Sequence, residues 1–63
     1  MTNEELARAM IDYRAAHDMS IKALANNANV SVQTVRNIEK GIASPTRLTR
    51  AKIKRAIAQY WEE

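Results

Sequence analysis

Ser20-Ile21-Lys22-Ala23-Leu24-Ala25-Asn26-Asn27-Ala28-Asn29-Val30-Ser31-Val32-Gln33-Thr34-Val35-Arg36-Asn37-Ile38-Glu39-Lys40-Gly41 is the stretch that decides the fold. Two serines eleven residues apart, Ser20 and Ser31, divide it. Serine is a favoured helix N-cap because its side-chain oxygen accepts from a backbone N–H two or three residues on. After Ser20, the residues Ile21, Leu24, Ala25 and Ala28 fall on one helix face, and after Ser31 Val35 and Ile38 do the same. Asn26, Asn27 and Asn29 lower helix propensity between the two. Asn29 also takes the left-handed conformation more easily than most residues with a side chain. The pattern predicts one helix that starts at Ile21 and stops within Asn26 to Asn29. A second runs from about Val32 to Lys40 and is closed by Gly41, with Lys40 suited to the negative end of the helix dipole. Two short helices joined by so tight a turn cross steeply, and the crossing needs a small residue, which Ala25 supplies.

Outward from this pair, the same reasoning adds a helix on each side. Thr2-Asn3-Glu4-Glu5 fits a capping box, with Thr2 as N-cap and Glu5 three residues on. Leu6, Met10, Tyr13 and His17 then share a face, with Ala9 and Ala16 beside them. His17 is expected at the helix end, partly exposed, and Asp18 and Met19 connect to Ser20. Beyond Gly41, Ile42-Ala43-Ser44 reads as a loop, and Pro45 is expected in the first turn of a last helix, where its missing N–H costs nothing. There Ile53, Ala56, Ile57 and Tyr60 share a face, with Arg47, Arg50 and Lys54 on the other side. Leu48 falls off the apolar face and is assigned to packing of the preceding turn.

With 63 residues the chain is read as one domain, 1–63, near the lower size limit for an independent core. It has no cysteine and one histidine, so neither a disulfide framework nor a structural metal site is expected, and no cofactor is implied. An enzyme is not expected either, for want of a Gly-rich loop, a thiol or enough chain to build a pocket. No apolar run approaches the roughly 20 residues of a membrane span. The polar start of the chain does not resemble a signal peptide, so the expected location is the cytoplasm of a bacterium or a phage-infected host. The net charge of +3 is unevenly spread: residues 20–58 hold eight lysines and arginines against the single Glu39. A basic block of this kind suits a polyanionic partner, and equally an ordinary solvated surface.

The central stretch resembles the Xre or Cro-type helix-turn-helix family of lambda-like phage repressors. Met19-Ser20-Ile21-Lys22-Ala23-Leu24-Ala25 is similar to the family's Leu-Ser-Gln-x-x-Leu-Ala. Asn29-Val30-Ser31, Thr34-Val35 and Ile38-Glu39-Lys40-Gly41 are similar to its Gly-Val-Ser-x-x-Thr-Ile-x-x-Ile-Glu-x-Gly, and Pro45 matches a proline shortly after that glycine. The likeness runs without a gap from Arg14 to Pro45. It implies an all-α fold, a compact four- to five-helix lambda-repressor-like DNA-binding domain with its helix-turn-helix at about residues 20–40. Two positions depart from the pattern. Ile21 stands where the family has a phosphate-contacting Gln, so that contact is missing or has moved to Ser20 or Lys22. Asn29 stands at the turn glycine.

The resemblance implies that Val32, Gln33, Arg36 and Asn37 face the edges of bases in the major groove. Their chemistry agrees, since Gln and Asn can bond adenine at two points, Arg can bond guanine likewise, and Val can meet a thymine methyl. Ser20, Lys22, Thr34, Lys40, Ser44, Thr46 and Arg47 are candidate phosphate contacts, which position a domain and make binding salt-dependent without selecting sequence. Arg50, Lys54 and Arg55 are read as solvated surface. Arg14 and Glu39 are expected as a structural ion pair. The implied function is sequence-specific binding of double-stranded DNA by a transcriptional regulator, a Cro-like repressor of a phage or mobile element. It would act as a homodimer on a palindromic operator, joined through Gly41 to Thr46 or near Tyr60 and Trp61. The alternative is a protein-interaction module of the same fold, an anti-repressor or antitoxin subunit. A membrane-surface role for the basic last helix is set aside, because its apolar face is needed for the core.

Overall fold

Local capping starts each of the four helices among the described residues, 2–58 of the computed structural model. The elements are α1 (Asn3–Ala16), α2 (Ile21–Ala28), α3 (Val32–Glu39) and α4 (Arg47–Ala56). Thr2, Ser20, Ser31 and Thr46 each stand just before a helix in extended conformation, with the side-chain oxygen accepting from the N–H three residues on. The capping box at α1 is complete: Glu5 N–H donates to Thr2 Oγ1 at 3.1 Å and Thr2 N–H to Glu5 Oε1 at 2.8 Å. The bond from the Thr2 backbone is the main reason that the Glu5 pKa lies below its ordinary value.

Three helices end in one way. Met19 N–H bonds the Arg14 carbonyl at 2.8 Å, Val30 N–H the Ala25 carbonyl at 3.0 Å, and Ile42 N–H the Asn37 carbonyl at 3.1 Å. Within each of these closures one residue has positive φ: Asp18 at 51°, Asn29 at 58° and Gly41 at 75°. This is the Schellman arrangement, which satisfies the orphan carbonyls of a helix end and reverses the chain in a few residues. Asn29 thus takes the left-handed conformation expected of it. Asp18 does the same at the end of α1, where the sequence reading saw only a connection.

The core gathers Leu6, Ala7, Met10 and Tyr13 of α1, Leu24, Ala25 and Ala28 of α2, Val35 and Ile38 of α3, and Ile53 and Ile57 from α4 and its end. α3 packs on α1 and α2, and α4 packs on α2. Leu6, Met10, Leu24, Val35, Ile53 and Ile57 are completely enclosed, and burial of each such side chain contributes roughly 1.5–3 kcal/mol relative to exposure. Ala25, the small residue expected where α2 meets α3, lies in this core. The His17 ring is exposed and lies against Tyr13, with the ring centres 4.4 Å apart.

Four expectations are corrected. Pro45 is not in the first turn of α4. Thr46 takes the cap, and its hydroxyl oxygen holds Thr49 N–H at 3.2 Å, so the helix begins at Arg47 and Pro45 precedes the cap. Leu48 packs into no turn: it is 66% exposed, because its place in the first turn of α4 lies off the Ile53 and Ile57 face. Ala16 is exposed rather than packed beside the α1 face. Val32, expected to face outward with Gln33, Arg36 and Asn37, lies half-buried against the core, because it stands at the border of the Val35 and Ile38 face. Tyr60 and Trp61 lie outside the described residues. Among the described residues no helix is long and apolar enough to cross a membrane.

Candidate nucleic-acid interface

α3 has a strongly divided surface. Val35 and Ile38 are buried, while Gln33, Arg36 and Lys40 are exposed and Asn37 is half-buried. Residues 33, 36, 37 and 40 stand at i, i+3, i+4 and i+7 and so share one face, directed away from Val35 and Ile38. On this face Gln33 Nε2 donates to Asn37 Oδ1 at 2.7 Å. Below Asn37 a shallow hollow of about 200 Å³ separates α3 from the start of α4, lined in part by Thr34, Ser44, Thr46 and Thr49. The structure thus gathers three candidate phosphate contacts, Thr34, Ser44 and Thr46, beside the candidate base reader Asn37. Ser20 and Lys22 do not line this hollow. They stand at the start of α2, Lys22 exposed and Ser20 capping the helix by accepting from Ala23 N–H at 3.0 Å.

The hydroxyls are already partly committed. Thr34 and Ser31 share a hydrogen bond of 2.7 Å. Thr46 donates its only hydroxyl hydrogen to Thr49 Oγ1 at 3.1 Å. A phosphate offers acceptors alone, so the Thr46 side chain has no hydrogen left for it while this bond holds, and the hydroxyl hydrogen that remains is that of Thr49. Sequence reasoning missed Thr49, although its place three residues after a capping threonine was a usable signal. Ser44 Oγ accepts from Asn3 Nδ2 at 2.9 Å, and Asn3 Oδ1 accepts in turn from Arg50. Arg50 was read as plain solvated surface, yet it is half-buried and joins the start of α1 to α4. Arg47 is exposed.

Arg14 and Glu39 meet in a two-point fork. Arg14 Nε donates to Glu39 Oε2 at 2.8 Å and Arg14 Nη2 to Oε1 at 2.7 Å, while Nη1 donates to the Met19 carbonyl at 3.2 Å. The two side chains retain 23% and 8% of their exposure. The bond from Glu39 raises the Arg14 pKa above its already high ordinary value, against a smaller opposing effect of burial. A raised pKa favours folding at every pH below the unfolded value and is lost only in strong alkali, so titration of Arg14 does not release this pair in ordinary buffers. The pair joins the end of α1, the turn at Met19 and the end of α3. It also neutralises the one acid in the basic block, which leaves the outward row of α3 with Arg36 and Lys40 and no opposing carboxylate.

Comparison with known proteins agrees with this geometry. A family model described as helix-turn-helix, of the Xre-like kind, matches residues 10–58, well over half the chain. No curated protein and no solved structure gives a significant match. The chain belongs to the Xre-like helix-turn-helix family. Members are DNA-binding regulators, generally non-enzymatic, and this chain is a DNA-binding helix-turn-helix regulator.

Proposed function

We propose that the protein is a sequence-specific transcriptional repressor of the Cro-like type, from a phage or mobile element, which reads the major groove with α3. The observation that carries this reading is the row on α3. Gln33, Arg36 and Asn37 offer amide and guanidinium groups suited to adenine and guanine edges, on the side of the helix opposite Val35 and Ile38. Val32, half-buried, keeps part of its surface for a thymine methyl. Ser20, Lys22, Thr34, Lys40, Ser44 and Arg47 set the register on phosphates. Thr46 contributes through the start of α4 rather than through its hydroxyl.

The protein works as a homodimer on a palindromic operator, with half-sites about 10–10.5 base pairs apart when they are one turn apart. Two side chains support a protein contact of this sort: Ile42, in the segment between α3 and α4, and Leu48, in the first turn of α4, are large and apolar and 70% and 66% exposed. The same side chains support the second reading, an anti-repressor or antitoxin subunit that binds a different protein.

Binding to a randomised DNA pool across a salt series tests the assignment. We expect enrichment of a short palindromic site whose selection is lost in Arg36→Ala and Asn37→Ala, with affinity falling steeply as salt rises. Salt-sensitive binding without a preferred site would make the protein a non-specific binder. No binding at all would favour the protein-interaction reading.

A further inference from the structure

Two amides on α3 are not independent. Gln33 Nε2 donates to Asn37 Oδ1 at 2.7 Å, one helical turn apart. Gln33 is exposed, whereas Asn37 is half-buried at the edge of the hollow formed with Ser44 and Thr49. Two-point recognition of adenine by an amide needs one N–H for N7 and one carbonyl oxygen for the N6 amino group. Gln33 has both to spare. Its NH2 group carries two hydrogens, and with the one trans to Oε1 bonded to Asn37, the cis hydrogen and Oε1 still form a complete edge. Asn37 differs, because Gln33 already occupies one of the two lone pairs of its carbonyl oxygen and its side chain is half-buried at the hollow, so Gln33 presents the more open of the two edges.

We infer that Gln33 and Asn37 read DNA as one unit, in which Gln33 is the adenine reader and Asn37 the residue that positions it. This rests on the assignment of α3 to the major groove and refines it. The bond fixes the Gln33 amide before DNA arrives, so less side-chain freedom is lost on binding. Asn37 is itself held by its place at the hollow. The consequence is that two residues on the recognition helix specify one base pair between them rather than one each.

The test combines DNA selection with a measurement on the free protein. Wild type, Gln33→Ala, Asn37→Ala, the double variant and Arg36→Ala are each selected against randomised DNA. Both single substitutions place alanine, the most favourable helix residue, off the Val35 and Ile38 core face, Gln33 at an exposed and Asn37 at a half-buried position, so folding is retained. We expect Gln33→Ala and Asn37→Ala to relax the same base pair, each by roughly tenfold or more in preference for adenine. The double variant should be no worse than Gln33→Ala. Relaxation at two different base pairs, with losses that multiply, overturns the coupling while leaving the major-groove assignment intact. If even Arg36→Ala leaves selection unchanged, that assignment fails and the coupled reader fails with it. Separately, the side-chain amide resonances of Gln33 in the free protein should move in Asn37→Ala, and unchanged resonances would contradict the pair without any reference to DNA.

Discussion

Glu39 is the only acid among eight basic residues between positions 20 and 58, and it faces Arg14 instead of solvent. Removing it leaves a guanidinium that is mostly covered and has only the Met19 carbonyl for company. Loss of one partner from a buried pair costs about 3–5 kcal/mol, and the 23% exposure that Arg14 keeps places Glu39→Ala near the lower end. In a domain of this size each kcal/mol lowers the melting temperature by about 4–8 °C. We therefore expect thermal denaturation of Glu39→Ala at least about 10 °C below wild type, with DNA affinity kept at temperatures where the variant is folded. A melting temperature equal to wild type would show that the fork contributes nothing. At this scale the sequence was informative wherever a residue acts on near neighbours. The four caps and the left-handed Asn29 depend on three to five residues of chain, and all but Thr46 were read correctly. Contacts with distant elements were not legible, which is why the half-burial of Val32 was missed, whereas the exposure of Leu48 follows from its place off the apolar face and could have been read. The bond between Gln33 and Asn37 was within reach, since its four-residue spacing is visible in the sequence.

At the scale of elements, the Schellman closures determine where each helix stops and hence where the next one points. Their three left-handed residues differ in what they cost. Gly41 at φ 75° has no side chain to strain, and a Cβ built there would meet nothing within 4 Å. A substitution at this position thus tests backbone conformation alone, without any clash. Gly41→Ala is expected to lower stability by about 1–2 kcal/mol. Gly41→Asn should fall between it and wild type, because Asn tolerates the left-handed region better. Chemical denaturation of the three proteins gives the order directly, and an alanine variant as stable as wild type would remove the conformational argument. The misplacement of Pro45 belongs to this scale as well. A proline and a threonine in succession both signal a helix start, and the hydrogen bond from Thr49 N–H decides in favour of Thr46. Asn3, which joins Ser44 to Arg50, carried no such local signal, because its partners lie more than forty residues away.

Across the molecule, the closures are followed by an apolar residue each time: Met19, Val30 and Ile42. Met19 and Val30 pack against the core, but Ile42 is 70% exposed. The proposed homodimer gives this side chain and Leu48 a surface to cover. Ile42→Ser and Leu48→Gln should each change monomer stability by no more than about 0.5 kcal/mol, as is usual for exposed positions. Both should weaken cooperative occupation of paired half-sites while sparing binding to a single half-site. Sedimentation with and without operator DNA, together with titration of one- and two-half-site duplexes, separates these effects. Unchanged cooperativity in both variants would move the contact elsewhere.

The three reversals carry a kinetic consequence. Each closes over five residues with bonds made by the chain's own backbone, so the approach of α3 to α2 requires no long search through conformations. Chains dominated by such short-range closures assemble in microseconds to milliseconds. A copy that opens is thus exposed to proteases only briefly before it closes again.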